Sequence, residues 1–362
     1  MSETESGEAR RRPNIKGVGR IAERSGIAIL LVALFVFFSF DHTTSASFIS
    51  AGNFKNIFGN QSVTGLIAIG SVLPLVANYI DLSVSAIAGI SSVAMASAVG
   101  PHNQPIIVGL ILGIGLAVIF GSINGFLVAY VRLSPFICTL GTYTLIGGLL
   151  QLYTGGQTIS NNIPISMWKF TTANFLGVPR SFWLLMVVSV LAWYMLTQTP
   201  FGRNLTAIGS NETAARLAGL RVQRTVFLTF VMSGLLGGIA GILLMSQSLG
   251  ADATTGPSYI FPALAAVYLG QTAIRPGQYN VWGTIIGVFL VAVAVDGLLL
   301  MGAQGWVDPV FDGGALVVSV TFSTLMARAR DRRARAVVMH TVESAPNNSE
   351  SGEPMNEIIQ TQ

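Results

Sequence analysis

Charge is scarce in this chain of 362 residues. Asp, Glu, Lys and Arg together make up 10% of it, against about a quarter in an average soluble domain. From Leu82 to Val131 there is none at all, and a second charge-free run extends from Leu133 to Trp168. The first run alone suffices for two membrane crossings, since a helix rising about 1.5 Å per residue needs roughly 20 apolar residues for a bilayer core of about 30 Å. A water-soluble domain is excluded. Cysteine is nearly absent too: Cys138 is the only one and lies in an apolar run. It forms no intrachain disulfide and reads as a small core hydrophobe rather than a reactive thiol. The three lysines, Lys16, Lys55 and Lys169, follow Ile, Phe and Trp, so no Gly-Lys-Ser/Thr phosphate loop exists. His42, His102 and His340 are too scattered for a zinc motif. No Gly-x-Ser-x-Gly elbow appears. Neither catalysis nor a cofactor is expected, and uphill transport would draw on an ion gradient or on another subunit.

What the chain has is apolar sequence rich in glycine. Hydrophobic residues are 51% and glycines number 40, the latter set inside apolar runs, where small residues let helices approach closely. Ten hydrophobic segments are predicted at about 22–41, 56–77, 84–100, 105–130, 135–153, 181–198, 224–246, 258–272, 279–301 and 309–326. Those at 84–100 and 258–272 are short enough to be broken or re-entrant helices. With the N-terminus inside, alternation leaves only Lys55, Lys169 and Arg180 outside, and the other seventeen basic residues inside, as the positive-inside rule requires. The first segment follows Arg10, Arg11, Arg12, Lys16, Arg20 and Arg24. It resembles a signal peptide, but the long basic region and the further spans favour a retained helix. Residues 1–24 then form a cytoplasmic basic tail, 25–330 the transmembrane domain, and 331–362, rich in Ser, Asn, Glu and Pro, a disordered cytoplasmic tail. The cluster Arg328–Arg335 marks the cytoplasmic end of the last helix against anionic lipid. The net charge of +4 implies no nucleic-acid partner.

Ionisable residues inside spans are few. Asp296, in Val-Ala-Val-Asp-Gly-Leu-Leu, is the clearest. It reads either as a pore-facing carboxylate or as one near a helix end bonded to a neighbouring helix. Asp81 sits at a junction of two spans, where it can cap the second, and Asp308-Pro309 reads as a helix start shortly before Asp312. No Lys or Arg lies at comparable depth. Asn124, Gln151 and Gln247 are uncharged groups in spans, able to bond a polyol or another helix. The Gly-xxx-Gly pairs at 121/125, 234/238, 237/241 and 283/287 read as intramolecular packing faces. The five tryptophans fall at belt positions, Trp168, Trp183 and Trp306 near the outer interface and Trp193 and Trp282 near the inner one.

The loop 200–222 is the most informative connection. Asn211 is a good N-cap, Glu212 suits the first turn, and Glu212 and Arg216 pair at i, i+4. Gly219 suits the C-terminal end. This predicts a two-turn helix with Ala214, Ala215 and Ala218 presenting a small smooth surface, suited either to a groove on another protein or to a plain connection.

The run Ala207-Ile-Gly-Ser-Asn-Glu-Thr-Ala-Ala-Arg-Leu-Ala-Gly-Leu220, with Ser233-Gly-Leu-Leu-Gly-Gly-Ile-Ala-Gly-Ile242, resembles the permease subunits of ribose, xylose, arabinose and autoinducer-2 type ABC importers. Tyr79-Ile-Asp-Leu-Ser-Val84 is similar to the family's Gly-Ile-Asp-Leu-Ser-Val-Gly. Ser134–Thr142, Tyr153–Ile159 and Val281–Gly287 agree with three further stretches. The resemblance covers roughly residues 25–330. It departs at Asn78-Tyr79, where Gly-Gly is usual, at Ser85 in place of Gly, at Arg275 in the loop 270–278, and at Asp296, where Asn is common.

The resemblance implies an all-α polytopic helix bundle in the cell membrane, acting as a homo- or heterodimer by alternating access. A cytoplasmic ABC ATPase would dock on the coupling helix Asn211, Glu212, Ala214, Ala215, Arg216, Ala218 and Gly219. An extracytoplasmic binding protein would deliver a small neutral solute, most simply a monosaccharide. Asp81, Ser83, Asn124 and Asp296 are the candidate pathway residues. The rival readings are a nucleoside or branched-chain amino acid permease of the same architecture, and an ion-coupled carrier using Asp296.

Overall fold

In the computed structural model the described residues are 15–321 and 324–325, with side chains described from residue 25. The basic cluster Arg328–Arg335 and the C-terminal tail lie outside them. Helices dominate, because lipid leaves no other partner for backbone polar groups. In chain order they are α1 (Ile15–Phe40), α2 (Ser45–Phe48), α3 (Ala51–Val76), α4 (Val84–Val99), α5 (Ile106–Ala129), α6 (Pro135–Thr154), α7 (Ile165–Thr172), α8 (Arg180–Gln198), α9 (Pro200–Ser210), α10 (Glu212–Leu217), α11 (Val222–Ser248), α12 (Thr255–Ser258), α13 (Ile260–Gly270) and α14 (Val281–Leu300). Residues 307–321 are also helical. A two-residue hairpin pairs Asn174 with Pro179 and Phe175 with Val178.

Every predicted segment contains a helix. Six of these, α3, α5, α6, α8, α11 and α14, are long and apolar enough to cross a membrane. Residues 25–40 and α4 are shorter apolar helices, and α13 has 11 residues, about half a bilayer core. The two segments expected to be broken are the ones whose chain is irregular: residues 77–83 before α4, and the step from α12 to α13. The first helix begins at Ile15, not near residue 22. Helical backbone thus takes in Lys16, Arg20 and Arg24 of the expected tail, since no proline interrupts the chain after Pro13.

Burial sorts the helices. α3 is 78% buried over its membrane-length window, whereas α5 is 22% and α6 28%. α3 is thus the bundle's axis, and α5 and α6 turn apolar faces outward through Ile111, Ile119, Leu145 and Leu152. The buried positions of α5 include Gly109, Gly113, Ala117, Gly121 and Gly125, one stripe at four-residue spacing. A Cβ on Gly121 would lie 2.7 Å from the Phe230 carbonyl oxygen of α11, and one on Gly234 2.7 Å from the Ala117 carbonyl oxygen of α5. One on Gly241 would lie 2.0 Å from the Ala88 carbonyl oxygen of α4, and one on Gly287 2.2 Å from the Ala266 carbonyl oxygen of α13. The glycine pairs are therefore intramolecular contacts where backbones touch.

Candidate coupling helix and solute path

α10 forms as its residues dictate. The Asn211 side chain accepts from the Ala214 N–H at 2.9 Å, and Gly219 takes the left-handed conformation at φ +82° just past the end. Arg216 and Glu212 form an exposed ion pair at 2.6 Å. Such a pair is worth about 0.3–0.5 kcal/mol. Ala214 and Ala218 face solvent. Ala215 does not: it is 5% exposed and packs with Leu205, Ile208 and Val222. The expected all-alanine surface is corrected accordingly, because so short a helix must seat one face on the bundle. The outer face instead offers Leu217, which is 85% exposed. Sequence reasoning missed it, although Leu217 stands two residues from Ala215 and so on the opposite side of the helix.

A contact invisible in the sequence ties α10 to the core. The Tyr79 hydroxyl donates to Glu212 Oε2 at 2.9 Å, and its pKa is pushed up, first by burial and then by the Glu212 carboxylate. Asn78, left-handed at φ 62°, donates its side-chain amide to the Gly209 carbonyl. The irregular segment 77–83 thus holds the α9–α10 corner at one end. At its other end stands Asp81.

Asp81, Ser83 and Asn124 meet in one buried network. Asp81 Oδ1 accepts from the Ser83 N–H at 2.9 Å and the Ser83 hydroxyl at 2.6 Å, and Oδ2 accepts from Ser233 at 2.7 Å. Asn124 donates to Ser83 Oγ at 2.7 Å and accepts from Thr142 at 2.6 Å. Thr139 Oγ1 accepts from the Leu82 N–H at 3.1 Å. These bonds join residues 80–83 to α5, α6 and α11. Asp81 is 2% exposed, and Ser83 and Asn124 are fully buried. The end-of-span capping role expected of Asp81 takes the form of this turn just before α4.

Asp296 is elsewhere. Its Oδ2 accepts from Asn53 Nδ2 of α3 at 2.7 Å. It lines a cleft of about 860 Å³ together with Asn56, Asn60, Gln61, Asp308 and Asp312, at the end of the bundle opposite α10. Asp296 thus bonds a neighbouring helix near a helix end and also lines a cavity wall. Gln247 bonds the Gly59 carbonyl at 3.0 Å and so ties helices together. Among the described residues no group of His, Cys, Asp and Glu is arranged to hold a metal.

This is a polytopic membrane bundle with a capped, outward-facing helix at one end and a polar cleft at the other. Residues 53–320 match the family described as branched-chain amino acid transport system / permease component, and the chain belongs to that family of ABC-importer permease components. It is 34% identical over 290 residues to the ribose import permease protein RbsC of Bacillus subtilis, covering 80% of this chain and 90% of the relative. It is 32% identical over 295 residues to RbsC of Escherichia coli, covering 80% and 91%. The L-arabinose transport system permease protein AraH of Escherichia coli is 29% identical over 312 residues, covering 86% and 94%. No solved structure matches. The chain is a multi-pass membrane permease, not an enzyme, and such components act with an ATPase and a substrate-binding protein.

Proposed function

We propose that this chain forms the membrane path for a small neutral solute, most simply a monosaccharide, in an ABC importer. Its relatives named for ribose and arabinose support the solute class, and the uncharged amides Asn56, Asn60 and Gln61 beside Asp296 suit a polyol. All ten segments enter the bilayer, α4 and α13 by pairing with irregular backbone, and both tails are cytoplasmic. That places α10 inside and the Asp296 cleft outside. A second permease subunit covers the outward face of α6, where Gly141, Gly147 and Gly148 meet nothing within 4 Å. The cytoplasmic ATPase docks on Asn211–Gly219, with Leu217 as its apolar contact. Asp296 faces the solute path, while Asp81, Ser83 and Asn124 carry the segment between path and coupling helix.

The observation that carries this reading is Tyr79. Its bond to Glu212 gives a push on α10 a direct mechanical route into residues 77–83. Substituting Glu212→Lys should abolish uptake while leaving membrane insertion intact, as measured by radiolabelled sugar accumulation against membrane-fraction immunoblotting. Normal uptake would make the loop a mere connector.

A further inference from the structure

Beside α10, at the same end of the bundle, lies a second polar cavity. It has a volume of about 410 Å³ and sits between α8, α9 and the loop 271–280, within the size range of small-molecule sites. Trp193 and Trp282 line it, and so do Asn78, Ser210, Arg275 and Gln278. No Asp or Glu does.

Most polar side chains facing it are already bonded, Asn280 to the Ala273 carbonyl and Thr206 to the Gly202 carbonyl among them, but four donors are not. The one ion pair among the described residues is Arg216–Glu212, so Arg275 is a cation without a carboxylate. The indole N–H groups of Trp193 and Trp282 and the side-chain amide of Gln278 likewise have no hydrogen-bond partner among the described residues. Asn78 donates to Gly209 and keeps its Oδ1 as an acceptor. Ser210 donates to the Thr206 carbonyl at 2.9 Å and keeps its lone pairs. The cavity therefore presents an unpaired guanidinium, which suits a phosphate bidentately. It also presents two half-buried indoles, on which the C–H face of a sugar ring can lie, and a few acceptors for hydroxyls.

We propose that this cavity binds a phosphorylated polyol, with its phosphate on Arg275 and its ring beside Trp193 and Trp282. The ligand would brace the loop 271–280 against Asn78 and Ser210. Those residues adjoin Tyr79 and α10, so occupancy would slow transport when a phosphorylated product accumulates on that side. The cytoplasmic placement rests on the importer reading; the site itself does not.

The test uses the full-length purified chain in phosphatidylcholine nanodiscs, titrated with ribose 5-phosphate while tryptophan fluorescence is followed. A saturable change is expected that ribose does not produce, that Trp193→Phe with Trp282→Phe removes, and that Arg275→Gln weakens about tenfold or more, as loss of a charge-assisted contact should. If the change appears only when phosphatidylglycerol is added to the nanodiscs, and Arg275→Gln removes it, the phosphate comes from a lipid headgroup and the site stands. No saturable change with either phosphate source, or an equal change in Arg275→Gln, overturns the proposal. Because binding is read without transport, failure of the ATPase to co-purify would sink the importer reading alone. Where it does co-purify, ribose 5-phosphate should slow binding-protein-stimulated ATP hydrolysis by the wild-type complex and not by its Arg275→Gln form.

Discussion

Asp81 and Asp296 are both carboxylates in a helix bundle of low charge, yet their surroundings treat them in opposite ways. Asp81 is 2% exposed and receives three hydrogen bonds, from the Ser83 N–H, the Ser83 hydroxyl and Ser233. Asp296 receives one, from Asn53, and its remaining lone pairs open onto a cleft. A buried acceptor surrounded by donors is committed to holding elements together. A carboxylate with one partner at a cavity wall is available to something that comes and goes. Position in the sequence pattern makes Asp296 the deeper of the two, yet the donor count marks Asp81 as the more firmly held.

The contrast breaks first, and hardest, at Asp81. In Asp81→Ala the Ser83 N–H and two hydroxyls lose their buried acceptor, each at about 1–3 kcal/mol. Folded protein recovered in detergent should fall steeply, as read by size-exclusion profile and thermal melting. Asp81→Asn keeps one carbonyl acceptor and should recover part of that loss. A monodisperse Asp81→Ala protein with wild-type melting would mean the network is not structural.

The opposite outcome is expected at Asp296. Asp296→Leu removes one hydrogen bond from a half-exposed site, which costs about 0.5–1.5 kcal/mol of stability, so the protein should still fold. Uptake should drop about tenfold through a raised half-saturation concentration, as a lost polar solute contact predicts. Asp296→Asn can still accept from Asn53 and should retain most uptake. If Asp296→Asn is as impaired as Asp296→Leu, the negative charge itself matters, and the solute is not a neutral polyol.

Much of this architecture was legible in the residues. Long apolar runs gave the helices, and the Gly121/Gly125 and Gly234/Gly238 pairs gave packing faces that meet each other between α5 and α11. Asn211, Glu212, Arg216 and Gly219 predicted α10 because capping is local chemistry. What failed was whatever depended on where α10 sits. Ala215 and Ala218 are alike as residues, and only the bundle behind the helix buries one and exposes the other. The convergence of Asp81, Ser83, Asn124 and Ser233 was equally hidden, since it joins positions up to 152 residues apart. The donor count that separates Asp81 from Asp296 exists only in three dimensions.

The finest test of the contrast lies between the two carboxylates and α10. Tyr79→Phe removes one hydroxyl and leaves the ring, whose edge-to-face contact with Phe230 at 6.5 Å keeps it in place. The Glu212 carboxylate stays solvated and paired with Arg216, so stability should change by less than about 1 kcal/mol. If residues 77–83 merely rest against α10, ATP-driven uptake should be unchanged as well. If they carry the motion of α10 to the Asp81 network, uptake per ATP hydrolysed should fall about two- to threefold while ATP hydrolysis continues, because a hydrogen bond of about 0.5 kcal/mol no longer links the two elements. Reconstituted complexes, with sugar accumulation and phosphate release measured in the same vesicles, separate these outcomes. A ratio equal to wild type would confine Asp81 to holding the fold and remove it from the transport cycle.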